Sequence, residues 1–179
     1  YLGVTHRLDR PTSGAVIFTK TSKALSRMNT LFLNNNVEKI YWAIVKNKPE
    51  KHKDSLINWL KKNPKNNKST AYRKQVNQSK KAILHYQLIH SMDRYHLIEV
   101  KLETGRHHQI RSQLSNIGSP IKGDLKYGFD RSNPDGSIHL HAQKISFTHP
   151  VNEQKISIIA PTPNDILWSE CSSKTNTKP

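Results

Sequence analysis

Cysteine, methionine and acidic side chains are the scarce residues of this 179-residue chain, which has one, two and thirteen of them. The single cysteine, Cys171, excludes an intrachain disulfide framework and fits a reducing compartment, so the expected location is the cytoplasm. Long apolar runs are missing as well. No stretch reaches the ~20 residues of a membrane-spanning helix, so no membrane partner is expected. The opening residues Tyr1-Leu2-Gly3-Val4 lack both an initiator methionine and the basic-then-apolar pattern of a secretory signal. With 34% hydrophobic residues and a mean hydropathy of −0.74, the chain is long enough for one domain with a core but carries a large polar surface.

Against the thirteen acids stand 29 Lys and Arg, a formal charge of +16. A field of that size attracts polyanions and makes association salt-dependent, so nucleic acid is the expected partner. Charge alone does not separate RNA from DNA or from an acidic lipid surface, and lysine-rich surfaces also serve solubility. The excess is concentrated in 46–81, where twelve Lys and Arg meet two acids. With Pro49, Pro64, several asparagines and only the islands Leu56-Ile57 and Trp59-Leu60, this region reads as a basic insertion or arm, as a pair of short strands lying on RNA, or as a solvated loop.

Hydrophobic periodicity predicts a helix over 22–35, with Ser22 as its N-cap and Leu25, Met28, Leu31 and Phe32 on one face. It predicts strands over 15–20, 38–46, 82–91, 94–102, 138–147 and 154–160. A second helix over 107–117 presents Ile110, Leu114 and Ile117 and stops at Gly118. A short helix over 164–170 follows Pro163, and 172–179 reads as a polar tail behind a domain over 1–171. Strands outnumber helices and connect mainly as neighbours. The expected fold class is therefore α+β, a mixed, mostly antiparallel sheet flanked by helices.

The densest chemistry lies in 6–20, where a carboxylate, two guanidinium groups, two hydroxyls and a glycine precede an apolar segment. Asp9 between Arg7 and Arg10 reads from spacing alone as a loop ion pair. Among the ten histidines, His107 and His108 do not share a helix face, and no Cys, Asp or Glu cluster stands at ligand spacing, so no metal is expected.

The run His6-Arg7-Leu8-Asp9-Arg10-Pro11-Thr12-Ser13-Gly14 resembles the signature of the RluA-like family of RNA pseudouridine synthases. In that family the aspartate is the catalytic residue. Lys39-Ile40-Tyr41-Trp42-Ala43-Ile44-Val45 resembles the family's K-x-Y-x-A-x-V strand, and Gly105-Arg106-His107-His108-Gln109-Ile110-Arg111 its G-R-x-H-Q-I-R motif. Gly123-Asp124-Leu125-Lys126-Tyr127-Gly128 resembles a G-D-x-x-Y-G turn, while Leu140-His141-Ala142 and Phe147-Thr148-His149-Pro150 resemble the closing L-H-A and F-x-H-P pair. Thr19 and His107 depart from the commonest residues at their positions. The family's earlier strand and K-P-x-G turn do not precede the first motif, so the chain is expected to be a synthase catalytic domain partial at its N-terminus.

The resemblance implies a cofactor-independent isomerase acting as a monomer on a uridine of rRNA or tRNA, flipped out of its stack into a dry pocket. It implies Asp9 as the carboxylate, Arg106 as its cationic partner and Tyr41 as the aromatic surface with a hydroxyl near the ribose. Arg7, Arg10, His108, Gln109 and Arg111 are expected to contact RNA, and Arg10-Pro11 resembles members with a tRNA target. The competing readings are a catalytically silent RNA-binding protein of the same fold, and a nucleoside or glycoside hydrolase. The latter would require a second carboxylate across the bond.

Overall fold

The computed structural model describes residues 1–175. Two-residue strands β1 (Gly3–Val4), β2 (Ser13–Gly14) and β3 (Phe18–Thr19) precede helix α1 (Ser22–Leu33), followed by β4 (Val37–Val45), β5 (Lys53–Asn63), β6 (Lys68–Tyr72), β7 (Lys80–Ser91) and β8 (His96–Leu102). Helix α2 (Gln109–Asn116), a 3-10 turn (Leu125–Tyr127), β9 (Leu140–Thr148), β10 (Lys155–Ile159) and α3 (Ile166–Thr175) complete the chain. Seven strands form one sheet in the order β10-β9-β4-β8-β7-β5-β6, with β2 added beside β9. Every pairing along this path is antiparallel except that of β2 with β9. The α+β expectation therefore holds.

Alternation decides what the sheet buries. Val45, Val100, Tyr86, Leu84 and Leu56 pack against Ile110 and Leu114 of α2 in the main core. Ile44 and Leu97 belong to a second cluster with Trp168 and Cys171 of α3. Burial of such side chains stabilises by about 1.5–3 kcal/mol each, so α2 is clamped to the sheet and carries its polar residues to a fixed place. Among the described residues no helix is long and apolar enough to cross a membrane.

Region 46–81 is not a loop. It supplies β5 and β6, and β5 pairs with β7 from Lys53 to Leu60. Leu56, Asn58 and Leu60 face inward, and the buried Asn58 is accommodated because its Oδ1 accepts from Gln113 Nε2 at 2.8 Å. The cap of α1 is Thr21, whose hydroxyl accepts from the Ala24 amide at 3.1 Å, one residue before the expected Ser22. Helix α3 continues to Thr175, past the expected start of the tail, because Trp168 and Cys171 are buried. Residues 176–179 of that tail lie outside the described residues.

The expected strand over 15–20 is broken in two. Ser13 and Gly14 run parallel to His141 and Ala142, and Phe18–Thr19 turns away to pair with Gly3–Val4. The first contact is close: a Cβ on Gly14 would stand 2.4 Å from the Ala142 carbonyl oxygen and 2.5 Å from its nitrogen, at a φ of +120°. Gly14→Ala is accordingly expected to destabilise by at least ~1–3 kcal/mol from the backbone conformation alone. A melting temperature within a degree of wild type would contradict this packing.

Candidate active site

Asp9 lies on a loop pinned at several points. Its carbonyl accepts from the Thr12 amide at 2.8 Å, and the Pro11 carbonyl accepts from the Ile138 amide at 2.9 Å. Upstream, Thr5 donates its hydroxyl to the Ile17 carbonyl at 2.6 Å and His6 Nε2 accepts from the Ile17 amide at 3.1 Å. Downstream, Ser13 Oγ lies 2.8 Å from His141 Nδ1, and His141 Nε2 lies 3.2 Å from the Ala160 carbonyl. Burial lowers the His141 pKa, so the neutral ring donates from Nε2 to that carbonyl and accepts the Ser13 hydroxyl at Nδ1.

Helix α2 brings the cation. Arg111 NH1 is 3.3 Å from Asp9 Oδ2. Behind it, Arg111 Nε and NH2 donate to the two oxygens of the buried Asp124 at 2.7 and 2.8 Å. This bidentate fork fixes the guanidinium in its plane, which a lysine would not reproduce. Tyr127 closes the same assembly with its ring centroid 5.0 Å from Arg111 Cζ. Its hydroxyl accepts from the Ser69 amide at 2.7 Å and lies 2.9 Å from His108 Nδ1.

His108 precedes α2 in the left-handed conformation, with φ 50° and ψ 31°. Its Nε2 is 3.9 Å from Asp9 Oδ2. Burial, with Arg111 next, pushes its pKa down to about 3, so the ring is neutral at physiological pH. The unfolded chain protonates such a ring near 6.5. It therefore binds the extra proton between pH 6.5 and about 3, and folding stability falls as pH drops through that window. His108→Gln is expected to flatten the decline of melting temperature between pH 6.5 and 4.5. An unchanged slope would place the acid sensitivity elsewhere.

Tyr41 of β4 forms another wall. Burial, with Asp9 adding to it, pushes its hydroxyl up to about 12, which keeps it a proton-bearing donor. Asp9, Tyr41, Arg106, His108 and Arg111 line one cavity of about 110 Å³ together with apolar groups from Leu8, Leu102, Ile110 and Leu140. A cavity of about 150 Å³ takes a benzene ring, so this space is on the scale of one flat ring.

Several expected roles change. Arg106 lines the cavity but is not the partner of Asp9: it is exposed, with Nε donating to the Lys81 carbonyl at 2.9 Å. Arg111, expected at RNA phosphate, is buried and holds that ion pair instead. Gln109, also expected on RNA, is a clip: Oε1 accepts from the Thr104 hydroxyl and the Arg106 amide, and Nε2 donates to the Ile83 carbonyl. His108 points inward as described. Arg7 lines the cavity, whereas Arg10 is exposed toward Asp135 and Ser137 on another surface. Asp124 and Tyr127 of the G-D-x-x-Y-G turn complete the cation's support. Asp124 does not line the cavity, so it is no second carboxylate across a bound glycoside. Among the described residues no group of three or more His, Cys, Asp or Glu is placed to hold a metal ion.

The sequence profile described as RNA pseudouridylate synthase matches residues 1–116. A tRNA pseudouridine synthase C of Vibrio cholerae is 30% identical over 173 residues, covering 87% of this chain and 70% of that protein. A ribosomal large subunit pseudouridine synthase D of Zymomonas mobilis is 30% identical over 174 residues, covering 92% of this chain and 54% of its own length. The chain spans about half the length of several such relatives. In structure it is similar to human RNA Pseudouridylate Synthase Domain Containing 4, with a TM-score of 0.77 at 22% identity over 98% of this chain and 76% of that one.

Proposed function

The chain belongs to the RNA pseudouridylate synthase family, and from that membership and the geometry around Asp9 we propose that it isomerises a uridine of RNA to pseudouridine. The observation that carries this reading is the Asp9 carboxylate held 3.3 Å from a buried, forked Arg111 in a cavity of ring size beside Tyr41. The uridine is flipped into that cavity. Asp9 acts as nucleophile or base at the sugar or base, the bond from C1′ to N1 breaks, the uracil turns, and C1′ bonds to C5, which loses its hydrogen as a proton while N1 takes one up. Arg111 holds the carboxylate in place, Tyr41 offers its ring face and hydroxyl, and Leu8, Leu102, Ile110 and Leu140 supply the apolar part of the lining. Arg7 and Arg106 stand at the cavity as cations for the neighbouring phosphates.

The relatives' names include both a tRNA and a ribosomal enzyme, and the proposed substrate is a uridine of one of these RNAs. The proposed enzyme is a monomer of the cytoplasm. Release of tritium from RNA labelled at uridine C5 is expected when total rRNA and total tRNA are supplied separately, and the active pool identifies the substrate. Release of free uracil would indicate a hydrolase, and binding without release from either pool a silent RNA-binding protein.

A further inference from the structure

Beside the Asp9 cavity runs an open groove lined by His6, Arg7, Phe32, Lys39, Tyr41 and Arg106, together with small and apolar neighbours. Arg7, Tyr41 and Arg106 border both spaces, so the groove is a continuation of the cavity. No acidic residue lines it.

Lys39 sets this groove apart from a generally basic surface. Three other lysines are neutralised by neighbours: Lys101 by Glu38 at 2.6 Å, Lys51 by Asp54 at 3.1 Å, Lys46 by Asp130. Lys39 is half-buried, and burial alone lowers its pKa, with no carboxylate or hydrogen-bond acceptor contributing among the described residues. Its ammonium is 5.9 Å from the centre of the Phe32 ring and 3.9 Å from the point where a Cβ on Gly105 would stand. A half-desolvated, unneutralised ammonium is costly to hold, and an anion that enters the groove relieves that cost. The same groove has a flat side: the His6 ring lies 5.0 Å from Phe32, tilted by 36°. Burial, with Lys39 next, lowers the His6 pKa, so this ring offers a neutral face. Lys39 and Tyr41 stand two residues apart on β4, about 7 Å along the strand.

We propose that this groove seats the nucleotide adjoining the target uridine, with its phosphodiester on the Lys39 ammonium and its base against the wall of His6 and Phe32. The assignment rests on the synthase reading, because it takes the cavity at Asp9 as the seat of the flipped uridine. It makes Lys39 a substrate-positioning residue that acts on RNA affinity rather than on the chemical step.

The test is a fluorescence-anisotropy titration of a dye-labelled RNA stem-loop with one loop uridine, at increasing salt, on wild type, Lys39→Gln and Lys39→Arg. Lys39→Gln is expected to bind roughly tenfold more weakly. Its plot of log affinity against log salt should be shallower by about 0.7, the contribution of one phosphate on a single strand. Lys39→Arg should restore both. Replacing the phosphodiesters beside the loop uridine with methylphosphonates should weaken wild type more than Lys39→Gln, which retains only the contacts of Arg7 and Arg106. Equal affinity and equal salt slope in wild type and Lys39→Gln would overturn the assignment, even where the wild type releases tritium. Binding without tritium release would remove the synthase reading and with it the assignment of the groove to the nucleotide beside a target uridine. An RNA that binds no form of the chain would overturn both.

Discussion

Replacing Asp9 with asparagine is expected to cut tritium release from C5-labelled RNA by at least ~10²–10⁴-fold, the range lost when a positioned proton-transfer group is removed. The substitution changes charge with little change of shape. Structurally it is mild, since Arg111 keeps both hydrogen bonds to Asp124 and Asp9 contributes one longer contact of 3.3 Å at the edge of the cavity. Stability should therefore move by less than about 1 kcal/mol, and RNA affinity should hold or rise slightly as a negative charge leaves the site. Activity within tenfold of wild type would assign the chemistry to a group other than Asp9.

Arg111→Met should unfold the site rather than merely silence it. The guanidinium is buried and shared between two carboxylates, and its removal strands Asp124, whose side chain is 1% exposed. Losing one partner of such a pair costs about 3–5 kcal/mol, while replacing both partners by apolar groups of similar volume is often neutral or stabilising. The double variant Arg111→Met, Asp124→Leu is expected to recover most of the lost melting temperature and none of the activity, because Asp9 still lacks its cation. Recovery of activity along with stability would reduce the pair to a structural prop. Arg111→Lys should also be poorly active, since an ammonium cannot hold Asp124 at two points and still face Asp9.

Strand β7 was legible because Ala82, Leu84, Tyr86 and Leu88 are buried at every second position, and β4, β8 and β10 because they are rich in β-branched residues. Two other stretches were only partly legible. Strand β5 turns Asn58 inward to meet Gln113 and turns Ile57 outward at 55% exposure, so its hydrophobic period is inverted at the centre. The apolar run at 15–18 looked like one strand, but its pairing is divided between β9 and β1, a matter of tertiary neighbours. At the site, the motifs singled out Asp9 and Tyr41 by position. The choice between Arg106 and Arg111 was not readable from spacing, because Arg106 precedes α2 while Arg111 lies in its first turn. Helix side chains tilt toward the N-terminus, which lets Arg111 reach back toward the Asp9 loop. The inward fate of His108 and Gln109 depended on a left-handed turn and on the Ile83 carbonyl, neither of which leaves a compositional trace.

The seam between Ser13-Gly14 and His141-Ala142 joins residues 128 positions apart. Because a ribosome adds about 5–20 residues per second, the Asp9 loop leaves the exit tunnel on the order of ten seconds before the strand that fastens it. During that interval the carboxylate is present but its scaffold is not, and Arg111 and Asp124 are themselves still to come. In a nascent or prematurely halted chain the Asp9 loop therefore lacks its fastening, and the site is completed in one late step when β9 closes the seam.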